Sequence, residues 1–354
     1  MGAPLVSVVI VACNVEAYLG EAIESVVKQS FTDWELIVLD FGSTDKSKQI
    51  ASTLASQDPR IQLHEIPHCS LADARNAGCS LSRGKYIAIL DADDIAVPHR
   101  LQWEVDFIEE HPEAGWVGGA AEWVNATGQF LWVLNFPVSD QEIKEALLTY
   151  FPFCHSAVLM RRELFHRVGG YRAVFTTAHD YDLCLRVSEH TQCFNLPQVV
   201  VRYRVHGSQL SLSKRKQQTL CKLAAQASAS SRKAGSDDPL DSAREITPEL
   251  LLRLGVSEAS QQADLVQAYQ NWIQSMSLAG EDGAAIDAAE EALSSHWACV
   301  GRNQIADLSL TAARLHWKQK HFAKGIASAI RAVRLQPVLA KHLVGPVLRR
   351  LHLA

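Results

Sequence analysis

The 354-residue sequence predicts an α/β protein with a mainly parallel, doubly wound sheet, followed by an all-helical region. Three observations support this fold class. Short apolar runs rich in β-branched residues alternate with segments of helical periodicity through about the first hundred residues, as expected for strands buried on both faces. The turns between them are short, which favours right-handed crossovers within one sheet. From Thr247 onward the sequence has only helical periodicity.

The predicted elements follow one another with clear boundaries. Gly42 permits a sharp turn, and Ser43 or Thr44 can cap the helix that follows it. A hairpin is expected where two apolar segments flank a turn of polar and glycine residues at 125–128. The expected strands are 5–12, 34–39, 60–66, 86–90, 115–124 and 130–136, and the expected helices of the first hundred residues are 16–28, 43–55 and 70–82.

The chain is expected to have three parts: an α/β domain at 1–213, a helix and linker at 214–246, and a helical domain at 247–354. In the last part, segments 279–293 and 318–337 resemble the second helices of tetratricopeptide hairpins, with small residues where helices pack closely. A generic helical bundle explains the same pattern. The tail at 339–353 mixes apolar and basic residues, which fits an anionic membrane surface or a last packed helix.

Composition excludes several classes of function. A net charge of −5 and the lack of a basic stripe with interleaved aromatic residues give no reason to expect a nucleic-acid partner. The eight cysteines are scattered without a CxxC pair, which suits a reducing cytosol. The sequence has neither a signal-peptide pattern nor an apolar run of about 20 residues. We therefore expect a cytoplasmic protein whose membrane contact, if any, is peripheral at the inner face.

An acidic cluster follows the predicted strand at 86–90. Asp91, Asp93 and Asp94 lie within four residues of one another and repel each other unless something neutralises them. Ligands of open α/β sheets bind outside the carboxyl ends of the strands, and hard divalent cations take oxygen ligands. The cluster therefore indicates a metal site. The alternative is a solvated acidic turn that caps the next helix, with Asp94 or Pro98 at its start.

Three stretches in order, VSVVIVACN, YLGEAIESVVKQSFTDWELIVLDFGSTD and LADARNAGCSLSRGKYIAILDADD, resemble the family 2 glycosyltransferases, which have the GT-A fold. The resemblance continues to about residue 213 through FCHSAVLMR, HDYDL and VVVRYRVHGSQLSLS. A plain NAD-binding Rossmann domain is disfavoured, because no GxGxxG follows the first strand. The resemblance implies transfer of a sugar from a nucleoside-diphosphate donor, with inversion, to a hydroxyl group on a glycan or lipid-linked acceptor.

The resemblance also implies roles for the residues that chemistry needs. Asp93 is the expected ligand of Mn²⁺ or Mg²⁺, and His206 can complete the metal shell. Asp180 is the expected catalytic base, although His179 stands where the family usually has Glu. Burial and crowding by Asp182 are expected to raise the pKa of Asp180. The alternative for Asp180 is that it only caps the helix after it.

A further set of residues is expected to bind the nucleotide-sugar. Arg75 suits phosphate oxygens, although it could instead form an ion pair with Asp73 or Asp40. Phe41 replaces the family's usual Asp, which contacts uracil in members that use UDP donors; it could stack on a base or pack on the sheet. UDP-sugar remains the first donor expected. The expected nucleotide-sugar-binding residues are Val11, Asn14, Glu16, Asp40, Arg75 and Asp91.

A function of another class fits the same sequence. A glycosyltransferase fold that has lost turnover could act as a scaffold or binding protein, with a protein partner bound through its helical domain. The departures at Phe41 and His179 motivate this alternative, whereas the presence of Asp93, Asp180 and His206 argues for an enzyme.

Overall fold

The computed structural model describes residues 2–207 and 214–340. The chain divides into two compact units. One comprises Met1–Val205 and Cys221–Ile246, and the other comprises His206–Leu220 and Thr247–Ala354. The boundaries predicted at residues 213 and 246 stay predictions, and each unit is described by itself.

The first unit contains one sheet, in which the described strands have the order β3-β2-β1-β4-β8-β6-β9-β5 and β7 pairs with β6. β1, β2 and β4 are almost wholly buried, which explains their continuous apolar sequences. The strands are β1 (Val6–Ala12), β2 (Trp34–Asp40), β3 (Ile61–Glu65), β4 (Tyr86–Ile89), β5 (Ile95–Ala96), β6 (Ala114–Asn125), β7 (Phe130–Leu134), β8 (Leu159–Arg161) and β9 (Gln192–Val205).

The predicted α/β fold class is confirmed, and the sheet has two different halves. β1 to β4 are parallel, with Val6 opposite both Trp34 and Tyr86. In the second half β8 runs antiparallel to β4 and β6, β7 is antiparallel to β6, and β9 is parallel to β6. The predicted hairpin is also present as β6 and β7. The sheet is thus parallel where strands and helices alternate and mixed beyond β4.

The helices of the first unit cover the sheet and place polar residues at its edge. Ser70 caps the third helix, because its hydroxyl accepts a hydrogen bond from the Asp73 amide at 3.1 Å. The helices are α1 (Leu19–Val27), α2 (Ser47–Ala55), α3 (Leu71–Leu81), α4 (Arg100–Glu110), α5 (Asp140–Ala146), α6 (Arg162–Arg167) and α7 (His179–Ser188), and α8 (Arg215–Lys233) has residues in both units.

A buried ion pair fixes α4 against the end of β4. Arg100 and Glu104 are fully buried, with Arg100 Nε 3.0 Å from Glu104 Oε1. Arg100 Nη2 also donates to the carbonyl oxygens of Ile89 and Val158, at 2.9 and 3.2 Å. Burial raises the pKa of Glu104 to about 7, against the opposing effect of Arg100. The pair therefore holds the backbone immediately before the acidic cluster.

The described part of the second unit is helical, as predicted. Thr247 caps α9 through its hydroxyl, with Pro248 in the first turn. α13 packs closely on α12 at Gly325, where a β-carbon would clash with the ring of Trp317. The helices are α9 (Pro248–Arg253), α10 (Glu258–Leu278), α11 (Asp282–Ser294), α12 (Arg302–Lys318) and α13 (Phe322–Leu335).

Segments 279–293 and 318–337 thus form α11 and α13, while their tetratricopeptide character stays a prediction. Most of the tail predicted at 339–353 lies outside the described residues. Within residues 2–207 and 214–340, every helix is too short or too polar to cross a bilayer.

Candidate active site

The candidate site lies at the carboxyl edge of the parallel half of the sheet. β1 and β2 pair so that Ala12 lies opposite Asp40, and β4 pairs with the other side of β1. Parallel strands end at the same edge. The fold therefore brings Asn14, Asp40 and Asp91 to one edge, as the sequence predicts.

Asp94 is buried at this edge, and its carboxylate links neighbouring segments through hydrogen bonds. Its Oδ1 accepts a hydrogen bond from the Arg204 amide at 2.8 Å, and Ser156 donates to its Oδ2. The Ser156 hydroxyl in turn accepts from the Asp91 amide at 2.9 Å. Burial, followed by the charges of Asp93 and Asp91, raises the pKa of Asp94 well above its usual range. α4 begins at Arg100, so the alternative in which Asp94 or Pro98 starts that helix is wrong.

Arg75 connects the acidic cluster to the start of α7. Its guanidinium is buried, forms an ion pair with Asp91 and contacts Nε2 of His179. Neither Asp73 nor Asp40, the partners weighed from the sequence, forms this pair. Because a guanidinium only donates, His179 Nε2 accepts and its ring is neutral. Burial, aided by Arg75 and His155, lowers the pKa of His179 well below its usual range.

Asp180 lies in the first turn of α7, directly after His179. Burial raises the pKa of its carboxyl; Arg75 opposes this shift, and Asp91 adds to it. Asp180 therefore shares the charge environment of Arg75 and Asp91. The helix starts after Ala178, whose φ of +50° is unusual for alanine and sets the direction of the turn.

Asp182 does not have the effect expected from the sequence. Its buried carboxylate accepts from Arg172 and Arg186, and it is not among the groups that shift the pKa of Asp180. The two arginines neutralise Asp182 and hold α7 in place. Asp91, which is remote in sequence, is the carboxylate that raises the pKa of Asp180.

The side chains of the predicted nucleotide-binding loops hold one another. Asn14 Oδ1 accepts from the Thr44 amide at 2.8 Å, and Glu16 Oε2 accepts from the Lys46 amide at 2.8 Å. These bonds join the loop after β1 to the loop after β2. Asp40 Oδ1 accepts from the amide of Gly42 at 3.1 Å and from the next amide along the chain at 3.0 Å. Its Oδ2 is buried with no partner in the described structure, so it can accept from a ligand.

Phe41 packs on the sheet. It is only 7% exposed and forms a buried cluster with Leu39 and Ala74. Val11, which was predicted to bind the nucleotide-sugar, packs against that cluster. The Phe41 ring stacks on His68, with centroids 5.9 Å apart and planes 10° apart. Of the two alternatives weighed for Phe41, packing is the one observed.

The acidic cluster can be tested for its fit to a divalent cation. Within the described residues there is no group of three His, Cys, Asp or Glu placed to hold a metal. Mg²⁺ and similar ions, however, commonly take one or two carboxylates and complete their shell with substrate phosphates and water. The Asp93 carboxylate has the chemistry of such a ligand, and its role stays a prediction. His206 is buried and belongs to the chain section that groups with the helical unit, and its role as a ligand stays a prediction.

Several polar residues of this unit were missed by sequence reasoning. His155 Nε2 lies 2.9 Å from the Tyr171 hydroxyl, and the His155 ring is perpendicular to that of His179. Arg204 Nε donates to the Asp93 carbonyl at 2.9 Å. The signal for His155 was its position, with Ser156, inside an otherwise apolar run.

Several known proteins are similar to this chain in sequence. The Glycosyl transferase family 2 matches residues 7–169. An "Uncharacterized glycosyltransferase" of Haemophilus influenzae is 30% identical over 224 residues, which are 59% of this chain and 68% of that protein. A "PGL/p-HBAD biosynthesis glycosyltransferase" of Mycobacterium bovis is 31% identical over 205 residues, 57% of this chain and 75% of that one.

Two solved structures have a similar fold. S. aureus TarS 1-349 in complex with UDP-GlcNAc has a TM-score of 0.55 at 16% identity, covering 94% of this chain and 92% of that one. The mannosyltransferase PcManGT from Pyrobaculum calidifontis, in complex with GDP-Man and Mn2+, has a TM-score of 0.53 at 18% identity, covering 94% and 87%. The fold is therefore GT-A. The family model spans residues 7–169, which include Asp40, Arg75 and Asp91, and relatives at least 30% identical are covered over more than two thirds of their length, so the chain belongs to the family 2 glycosyltransferases and is a glycosyltransferase.

Proposed function

We propose that this protein is an inverting, divalent-metal-dependent glycosyltransferase. It would move a sugar from a nucleoside-diphosphate donor to a hydroxyl group of a glycan or lipid-linked acceptor. The observation that carries the proposal is the position of Asp180, a carboxyl with a raised pKa in the charge environment of Arg75 and Asp91. These three residues combine a base, a cation and an acid beside the carboxyl edge of the sheet.

Asp180 would act as the general base. A carboxylate that removes the acceptor proton during attack on the anomeric carbon allows displacement in one step, with inversion. A pKa raised by burial makes the carboxylate a stronger base than an exposed Asp. His179, next to Asp180 in sequence, is neutral and therefore does not repel the Arg75 guanidinium that it contacts.

The donor diphosphate would bind to the guanidinium of Arg75. The planar guanidinium suits phosphate oxygens, and a diphosphate could replace Asp91 as its partner. Asp93, with Asp91 beside it and His206 as a further ligand, would hold Mn²⁺ or Mg²⁺. When bound, such a cation stabilises negative charge on the leaving diphosphate as a Lewis acid.

The nucleoside would bind near Asp40, Asn14 and Glu16. Asp40 Oδ2 is the buried acceptor that can take a hydrogen bond from the base or ribose. Phe41 offers no such acceptor and is covered by its neighbours, so this position does not select uracil. A UDP-sugar is the first donor to test because the family resemblance favours it, and GDP-sugars are the second. We also propose a cytoplasmic location, which the eight cysteines scattered without a CxxC pair support.

A turnover assay tests the proposal. Release of nucleoside diphosphate is measured with a panel of nucleotide-sugars and Mn²⁺, for the wild type, Asp180→Asn and Asp106→Asn, whose side chain is exposed on α4. Asp180→Asn should lower kcat by about 10²–10⁴-fold, as expected for loss of a general base, and Asp106→Asn should have no effect. A chelator should abolish turnover.

Two results would contradict this function. Full activity of Asp180→Asn would exclude the base assignment. A wild type that binds none of the nucleotides, with or without manganese, would favour a scaffold that acts through its helical domain.

A further inference from the structure

The C-terminal part of the chain has a charge that differs from the rest. Residues 308–354 contain nine Lys and Arg and no Asp or Glu, although the whole chain has a net charge of −5. Segments with this charge asymmetry indicate binding to an anionic surface. The feature does not depend on the proposed reaction.

α13 carries an exposed apolar face within this basic segment. Its small residues Gly325, Ala329 and Ala332 are buried. Phe322, Ile326 and Ile330, which recur every four residues, are 58%, 53% and 48% exposed. We call these three side chains the apolar row. Residues at this spacing lie on one face of a helix, where a soluble protein normally has polar side chains.

Cations lie close to the apolar row in sequence and on the helix. Arg334 continues the row by four further residues, and Lys320 precedes it by two. Both side chains are exposed, and neither has an ion-pair partner within residues 2–207 and 214–340. Lys324, in contrast, pairs with Glu290 of α11 at 2.7 Å. An apolar face bordered by unneutralised cations is the pattern of a helix that lies in a membrane interface.

From this pattern we infer that α13 is a membrane-docking helix, which inserts Phe322, Ile326 and Ile330 among the acyl chains of an anionic lipid surface. Lys320 and Arg334 contact the lipid phosphates on either end of the row. A basic residue near an anionic leaflet is attracted to it, and buried apolar area strengthens the binding.

Charge decides between this surface and two other occupants of the row. The tail at 341–354 is apolar but contributes Lys341, Arg349 and Arg350 and no acid. A second copy, packed about a two-fold axis, would set the same basic helix against itself. Neither α13 of a second copy nor the tail contains an Asp or Glu that could neutralise Arg334, whereas phosphate headgroups can.

Co-sedimentation of the full chain with vesicles tests the inference. One set of vesicles is phosphatidylcholine alone, and the other contains about 30% phosphatidylglycerol. The test variant is Phe322→Ser/Ile326→Ser/Ile330→Ser, and the matched control is Phe130→Ser/Val138→Ser/Leu148→Ser. The three control positions are 62%, 45% and 68% exposed and lie in the α/β unit.

We expect the wild type and the control to bind anionic vesicles and to bind phosphatidylcholine at least tenfold more weakly, with binding reduced by salt. The test variant should lose at least tenfold in binding and keep the wild-type melting temperature, because an exposed row contributes nothing to the fold.

Each other outcome would overturn the inference. The wild type and the test variant could bind equally, or neither could bind. Loss of binding on removal of residues 341–354, with binding retained by the test variant, would assign the contact to the tail. A lower melting temperature of the test variant would mean that the row is covered in the folded chain. A wild type that is a dimer in light scattering, with a monomeric test variant, would assign the apolar row to contact with a second copy.

Discussion

The pKa of Asp180 depends on two neighbours that carry opposite charges. Burial and Asp91 raise its pKa, and Arg75 lowers it. Arg75 is itself held by Asp91 and by His179, so the base, the cation and the acid form one electrostatic group. A substitution at any of them should change the protonation of Asp180 as well as its own contacts.

The pH dependence of turnover follows from these shifts. A general base must be deprotonated, so kcat/KM should fall as the pH drops through the pKa of Asp180, which lies above the ordinary value of about 3.9. Because Arg75 lowers this pKa, Arg75→Gln should move the acid limb to higher pH. The check is a pH–rate profile of wild type and variant. An acid limb at or below the ordinary value, or one that does not move in the variant, would contradict the assignment.

Sequence reasoning located these residues but not their pairing. Asp180, Arg75 and Asp91 were named because each stands in a motif of the family. The partners of Asp182 were not predicted, because Arg172 precedes it by ten residues in an irregular segment and only the fold brings the two together. Likewise, the packing of Phe41 on His68 joins two loops that local pattern leaves separate.

At the scale of elements, α4 positions the end of β4. Arg100 reaches from the first position of the helix to two backbone carbonyls, one just before the acidic cluster and one just before β8. Among the ion pairs of the described residues, Arg100 pairs only with Glu104, which is fully buried. Removal of Arg100 therefore leaves the buried Glu104 carboxylate without a charged partner. Arg100 thus binds backbone two residues before Asp91 and two residues after Ser156.

A pair of substitutions compares this buried ion pair with an exposed one of the same i, i+4 spacing. Arg100→Ala should lower the free energy of unfolding by about 3–5 kcal/mol, because it leaves Glu104 buried and unpaired. Lys28→Ala removes the pair with Glu24, whose side chains are 68% and 52% exposed, and should change it by less than about 1 kcal/mol. Urea unfolding followed by circular dichroism measures both. Equal effects would show that burial does not determine the contribution of Arg100.

The two halves of the sheet differ in how far they could be predicted. β1 to β4 have apolar runs and intervening helices, so a parallel order follows from local pattern and from crossover rules. β8 has three residues and β5 has two, and their antiparallel pairing joins segments distant in sequence. Periodicity cannot be read in strands of that length.

At the scale of the whole molecule, neither compact unit is one continuous stretch of sequence. His206–Leu220 group with the helical unit and Cys221–Ile246 group with the α/β unit, while the domain boundaries predicted at residues 213 and 246 stay predictions. Long-range contacts set such a boundary, and local sequence does not encode them. The two predicted metal ligands consequently belong to different sections of the chain, so each needs its own test.

Thermal stabilisation by ligand tests the metal assignment on the intact chain. A ligand that binds only the folded state at a thousand times its Kd stabilises it by about 4 kcal/mol, so UDP with Mn²⁺ should raise the melting temperature of the wild type. Asp93→Ala should abolish the manganese-dependent part of this shift and leave the ligand-free melting temperature unchanged, because Asp93 lies partly exposed at the edge of the sheet. Asp106→Ala, on the exposed face of α4, should retain the full shift. A shift of the same size in Asp93→Ala would place the cation elsewhere.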